Sequence, residues 1–129
     1  MKKLKVGIAG YQQYKDRTMA IARGALKPAA GEPKIWFTSI ESFARILSDK
    51  NRELLSMIAE TEPDSMNELA DKTGRARSNL SRTLRTMERY GLVRFVKGAG
   101  RQLAPRVHYS DIVLDMPLKR RSASRRAAV

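Results

Sequence analysis

Apolar residues recur through the middle of the chain at spacings of three and four, and prolines, glycines and capping hydroxyls cut that pattern into short helices. Ile35, Trp36 and Phe37 form an apolar entry, and Thr38 with Glu41 has the form of a capping box for a helix carrying Ile40, Phe43, Ile46 and Leu47 on one side. Ser48 or Asp49 caps a second helix, in which Leu54, Leu55, Ile58 and Ala59 continue the pattern to about Glu60, and Pro63 breaks it. Ser65 with Glu68 opens a short helix whose Met66, Leu69 and Ala70 face inward, and Gly74 ends it as a C-terminal glycine should. Leu80, Leu84 and Met87 then fall at i, i+4 and i+7, so the next helix buries one stripe before Gly91 terminates it.

Beyond Gly91 the period shortens. "LVRFV" alternates and is rich in branched residues like a strand, "KGAG" (Lys97 to Gly100) is a turn, and "RVHYSDIVLDM" gives one or two returning strands before Pro117. Upstream, "KVGIAG" predicts a short strand and "DRTMAIARGAL" (Asp16 to Leu26) a short helix stopped by Gly24 and Pro28, with "KPAAGEP" as a linker. Gly7 and Gly10 match neither the dinucleotide fingerprint nor a phosphate loop, so they are expected in a plain turn. The closing "LKRRSASRRAAV" has almost nothing to bury and is expected to be a disordered basic tail.

Composition bounds this to one modest domain with arms, and charge gives it a direction. The 129 residues include 26 Lys and Arg against 13 Asp and Glu, for a formal net charge of +13. Residues 1–38 hold eight basic and two acidic side chains, 39–74 four and eight, 75–106 nine and one, and 107–129 five and two. An acidic block followed by a strongly basic one implies a face built for a polyanion, with nucleic acid the leading candidate. No cysteine is present, which removes disulfides and thiolate metal sites, and no apolar run approaches the ~20 residues that span a bilayer. A soluble, cytoplasmic protein with no membrane association is expected.

Helix, short helix, glycine turn, helix and glycine-tipped hairpin is the order of a winged helix-turn-helix. The expected fold class is mainly α with a small β-wing and an N-terminal arm. Residues 1–33 form that arm, 34–116 the winged helix-turn-helix domain, and 117–129 the tail. The stretch "SMNELADKTGRARSNLSRTLRTMERYGLV" resembles MarR-type winged-helix regulators, in which an ELA segment, a turn glycine, an S-x-L/V-S-R-x-L recognition helix and a closing GLV occur in this order. Two positions depart from that pattern: Arg75 stands where an apolar residue is usual, and Ala76 where a capping Ser or Thr is usual. Alanine accepts no N–H bond, so the helix either starts uncapped or begins later with Ser78 as its cap. Together with "PKIWFTSIESFARILSDKNRELLSMI", the chain is similar to short MarR-like antitoxins of type II toxin-antitoxin modules, the TumA-like antitoxins among them. That resemblance implies a cognate toxin partner and repression of the protein's own operon.

Site residues follow from the same register. Ser78, Asn79, Ser81 and Arg82 occupy the first turns of the recognition helix, the part that reaches base edges in a major groove, with Arg82 suited to guanine and Asn79 to adenine. Arg75, Arg77 and Arg85 are expected on phosphates, and Lys97 and Arg101 flank the hairpin tip, where a wing touches DNA. For each, the bland alternative is a solvated charge. His108 stands alone, so neither a metal site nor a catalytic pair is expected, and no cofactor or catalytic residue is assigned. Glu60, Glu62 and Asp64 read as solvated turn residues, and Trp36, Phe37 and Phe43 as core or dimer contacts rather than an effector cradle. Double-stranded DNA read by a homodimer is therefore expected, with the arm and residues 35–47 making the dimer contact or holding the toxin. A stand-alone repressor released by a small ligand is the competing reading; a ribonuclease-type toxin lacks a general base, and an RNA-binding surface lacks enough aromatic side chains.

Overall fold

A computed structural model describes residues 2–24, 31–98 and 100–118. Among these the fold is mixed α/β, with β1 (Lys2–Ile8), α1 (Tyr11–Ala22), β2 (Ile35–Phe37), α2 (Ile40–Ile46), α3 (Asp49–Thr61), α4 (Met66–Thr73), α5 (Arg77–Tyr90), β3 (Arg94–Lys97), β4 (Leu103–Arg106) and β5 (Tyr109–Asp115). The mainly α expectation is thus corrected toward more strand. Residues 27–30 of the expected linker at 27–33, and residues 119–129 of the expected basic tail at 117–129, lie outside the described residues. The described residues divide into two compact units, one of residues 44–109 and the other of those in 2–43 together with 110–118.

The second of these units is built on a three-stranded sheet in the order β2-β1-β5. β1 is its central strand, not an arm: Leu4 and Val6 are buried, and β2 lies parallel to it with Gly7 opposite Trp36. Gly7 therefore sits in a strand and not in the expected turn. A Cβ there would fall 2.5 Å from the Trp36 ring, so only glycine lets that indole lie flat on the sheet. The guanidinium of Arg17 covers the same ring at 5.4 Å and pairs with Glu32, closing a stack of backbone, indole and cation. Phe37 is fully buried and meets Phe43 edge to face at 5.5 Å, which makes these aromatics core. α1 begins five residues before the expected Asp16, with Gly10 as its uncapped N-terminal residue, and Asp16 instead accepts a hydrogen bond from Gln12 Nε2 at 2.8 Å within the helix.

Local capping chemistry sets the bounds of the contiguous unit. Ser48 Oγ accepts from the Asn51 N–H at 3.3 Å and starts α3; Ser65 Oγ accepts from the Glu68 N–H at 3.0 Å and starts α4. The box at α4 closes one residue early, because the Glu68 carboxylate takes the N–H of Asp64 and not that of Ser65. That hydrogen bond, with a smaller contribution from Lys72, holds the Glu68 carboxyl below its ordinary pKa. At α2 the cap is Ser39, whose Oγ accepts from the Ser42 N–H at 3.0 Å; the expected Thr38–Glu41 box does not form. α2 itself has no fully buried residue, and Leu47 just beyond it turns inward. The core of the contiguous unit is Leu54, Leu55, Ile58, Leu69, Leu80, Leu84 and Met87, with Leu92, Val93 and Ala104 closing it from the hairpin side.

The hairpin pairs β3 with β4 antiparallel, from Arg94 opposite Arg106 to Lys97 opposite Leu103. Its returning strand begins at Leu103, before the stretch from Arg106 that the alternation picked out, because Pro105 interrupts the pattern while sitting buried opposite Phe95. A proline is tolerated there because a two-stranded sheet has only edge strands. The expected return of "RVHYSDIVLDM" onto this hairpin is also corrected: β5 joins β1 instead.

Candidate nucleic-acid interface

α4 and α5 are joined by a turn whose geometry depends on Gly74, in the left-handed region at φ 71°, with its N–H donating to the Ala70 carbonyl at 2.9 Å. α5 follows at Arg77 with Ala76 as N-cap and no side-chain cap, so the Ser78 alternative is not realised. The N–H donors of its first turn are left for solvent or an anion. Installing the missing acceptor with Ala76→Ser should raise the unfolding free energy by about 1 kcal/mol in chemical denaturation. An unchanged midpoint would mean those donors are already satisfied.

α5 is fixed in rotation by its buried stripe. Leu80 and Leu84 are wholly inaccessible and Met87 nearly so. At 100° per residue, Ser78, Arg82 and Arg89 then lie on the side opposite the core, with Asn79 next to them. Ser78, Asn79, Arg82 and Arg89 are exposed accordingly. Arg77, Ser81, Arg85 and Glu88 form a separate stripe that lines a groove of about 570 Å³. The other wall of that groove is the hairpin, through Phe95, Arg101, Gln102 and Leu103, and its floor is the start of α4 at Ser65, Met66 and Asn67.

The structure thus regroups the residues expected from sequence. Ser78, Asn79 and Arg82 stay together on the outward face; Ser81 moves to the groove with Arg77 and Arg85, where Arg101 meets them from the hairpin tip. Lys97 is exposed at the last paired position of β3 and does not line the groove. Arg75 is set apart: its backbone N–H donates to Thr73 Oγ1 at 3.2 Å and its guanidinium to the Lys50 carbonyl at 3.0 Å, which pins the turn to α3. Sequence reasoning missed Glu88, Asn67 and the apolar lining of Phe95 and Leu103, because only the approach of the hairpin brings them to α5.

That approach is held from one short segment. Arg106 Nη1 donates to the Pro63 carbonyl at 2.6 Å and to the Pro105 carbonyl at 2.8 Å, while its Nε lies 3.5 Å from the Glu62 carboxylate. Gly98 lies so close to Asp64 that a Cβ would stand 2.1 Å from the carbonyl oxygen. Glu62 and Asp64 are exposed, as expected of turn residues, and the Glu62 carboxylate and the Asp64 backbone also border the hairpin.

Electrostatically the face is unbalanced. Among the described residues no carboxylate pairs with Arg77, Arg82, Arg85, Arg101 or Lys97, and Arg89 donates to Thr86 Oγ1 at 3.2 Å. Glu88 alone puts negative charge into the groove, at the C-terminal end of its stripe. His108 is exposed, and among the described residues no group of three or more His, Cys, Asp or Glu is placed to hold a metal ion. No helix among them is long and apolar enough to cross a membrane.

The HVO_A0114 family model matches residues 46–114, more than half of the chain. The chain belongs to the HVO_A0114 family. The match runs from the end of α2 into β5, so the part held in common with HVO_A0114 contains α5, the hairpin and the groove between them. No curated protein and no solved structure matches the chain.

Proposed function

We propose that this HVO_A0114 protein is a sequence-specific DNA-binding transcriptional regulator of the winged helix-turn-helix type, with α5 as recognition helix and the β3–β4 hairpin as wing. The observation that carries the reading is the pair of cationic stripes on α5, locked in direction by Leu80, Leu84 and Met87 and unanswered by carboxylates. A helix of 14 residues is about 21 Å long and fits a major groove ~12 Å wide. With α5 so placed, Ser78, Asn79 and Arg82 face base edges, while Arg77, Arg85 and Arg101 line the path of one sugar-phosphate strand beside the wing. An open groove edged by Arg77, Arg85 and Arg101 suits a phosphate backbone better than an enclosed apolar ligand.

Two substitutions separate the stripes. Arg82→Ala should cost about 1–3 kcal/mol on a preferred site selected from random duplexes and relax the preference at one base position. Arg85→Ala should weaken preferred and scrambled duplexes alike and reduce the salt slope by about one phosphate. Anisotropy titrations at several salt concentrations make the distinction, and equal losses on both duplexes for Arg82→Ala would remove the base-reading role.

The antitoxin role rests on the sequence resemblance alone. In that reading the regulated operon is the protein's own and a toxin is its partner. Co-expression with the product of the adjacent open reading frame, followed by purification through one tagged member, tests it; separate elution of the two proteins would leave a stand-alone regulator.

A further inference from the structure

Among the described residues other than glycine, one has a positive φ: Glu62, the C-cap of α3, at φ 44° and ψ 64°. This is the left-handed position at which many helices end, and glycine is its usual occupant because a side chain there crowds the backbone. Asparagine is the common second choice, since its short amide bonds locally. Glutamate has neither advantage. Pro63 adds to the constraint, because the residue before a proline favours extended backbone. The Glu62 N–H donates to the Ile58 carbonyl at 3.0 Å, which closes α3, but glycine would make the same bond. The helix end therefore accounts for the conformation and leaves the side chain unexplained. A residue held in a sparsely populated conformation points to a function for what it carries.

The Glu62 carboxylate lies 3.5 Å from Nε of Arg106, and that guanidinium differs from the other cations of the hairpin. Arg94, Lys97 and Arg101 are exposed, whereas the Arg106 side chain keeps 18% of its surface and gives Nη1 to the carbonyls of Pro63 and Pro105. Nε and Nη1 thus both reach the residues just after α3. The guanidinium ties β4 to them.

We propose that Glu62 and Arg106 are positioning residues for the wing: the carboxylate, carried on a strained backbone, orients the guanidinium that fixes the β3–β4 hairpin against the end of α3. The proposal rests on the DNA-binding reading and deepens it, since neither side chain lines the groove. Instead of touching DNA, the pair sets the angle at which Arg101 faces Arg77 and Arg85. Some stability of the fold is given up for a defined hairpin.

Glu62→Gly tests this, because its effects should run in opposite directions. Glycine relieves the left-handed backbone, so the urea midpoint should rise with unchanged slope. Amides of the β3–β4 hairpin should nonetheless exchange with solvent about 3- to 5-fold faster, and a preferred duplex should bind about 3- to 5-fold more weakly, the range for losing one exposed ion pair. General electrostatics predicts the contrary for DNA: Glu60→Gln, exposed on α3 and also one carboxylate fewer, should bind the duplex at least as tightly as the unmodified chain. Arg106→Met removes every donor at once and should weaken binding by more than Glu62→Gly, yet leave the salt slope unchanged because no phosphate contact is lost. A Glu62→Gly protein that is less stable, one that binds as tightly as the unmodified chain, or a salt slope lowered by Arg106→Met would each overturn the proposal. Hairpin exchange separates it from the reading it rests on. If the unmodified chain binds no duplex, the DNA-binding reading fails; if hairpin exchange in Glu62→Gly is unchanged, the positioning role fails whatever the DNA result.

Discussion

Leu84→Ala should lower the unfolding free energy by about 2–5 kcal/mol, measured as a shifted midpoint with unchanged slope in urea denaturation. Leu84 has no accessible surface and lies on the stripe that Leu80 and Met87 share, so truncation leaves a cavity where α5 meets the core. The magnitude is set by incomplete collapse, because neighbouring side chains are held by their own backbones and move only partly into the gap. A loss below about 1 kcal/mol would mean that α5 is not seated through this residue. The contrast is with Arg82, two positions earlier on the same helix and on its opposite, exposed side: its truncation should change stability by no more than about 0.5 kcal/mol while altering binding. Stability and recognition should thus separate along a single helix.

Gly98→Val should be the most damaging change in the hairpin. The constraint is space: the first added carbon already stands 2.1 Å from the Asp64 carbonyl oxygen, which belongs to backbone and cannot rotate away. Valine also adds two methyl groups, and the hairpin must lift off the 62–65 segment, at a cost of about 3 kcal/mol. Lifting it would move Arg101 and Leu103 away from Arg77 and Arg85, so DNA affinity should fall by more than the Arg101→Ala change alone removes. Equal affinity losses for Gly98→Val and Arg101→Ala, in a folded protein, would show that the angle of the hairpin does not matter to binding.

Much of the helical part was legible because its signals are local. Ser48, Ser65, Gly74 and Gly91 act within a few residues of themselves, and the Leu80–Leu84–Met87 spacing sets which side of α5 is buried whatever it packs on. Where two local signals compete, sequence alone does not decide. Thr38 and Ser39 are adjacent hydroxyls, each with a polar residue three positions on, and backbone direction gave the cap to Ser39. The sheet was illegible for a different reason: β1 and β5 come from opposite ends of the sequence, and no spacing rule relates them. Gly7 belongs with these misses, since its requirement is clearance under Trp36, nearly thirty residues distant. Membership of the groove was only half legible. Helical periodicity puts Arg77, Ser81 and Arg85 on one stripe, but that this stripe faces Arg101 depends on how Gly98 and Arg106 dock on residues 62–65.

The two units differ in how their residues are distributed along the chain, and this bears on the order in which a ribosome can complete them. Residues 44–109 are consecutive, so once they have emerged every partner that their core needs is present. The sheet must wait: β1 precedes all the other described elements, yet one of its two neighbours, β5, follows them. Throughout that interval one flank of β1, with Leu4 and Val6, lacks its hydrogen-bonding neighbour, and nascent chains crowded on one message would be most prone to mispairing there.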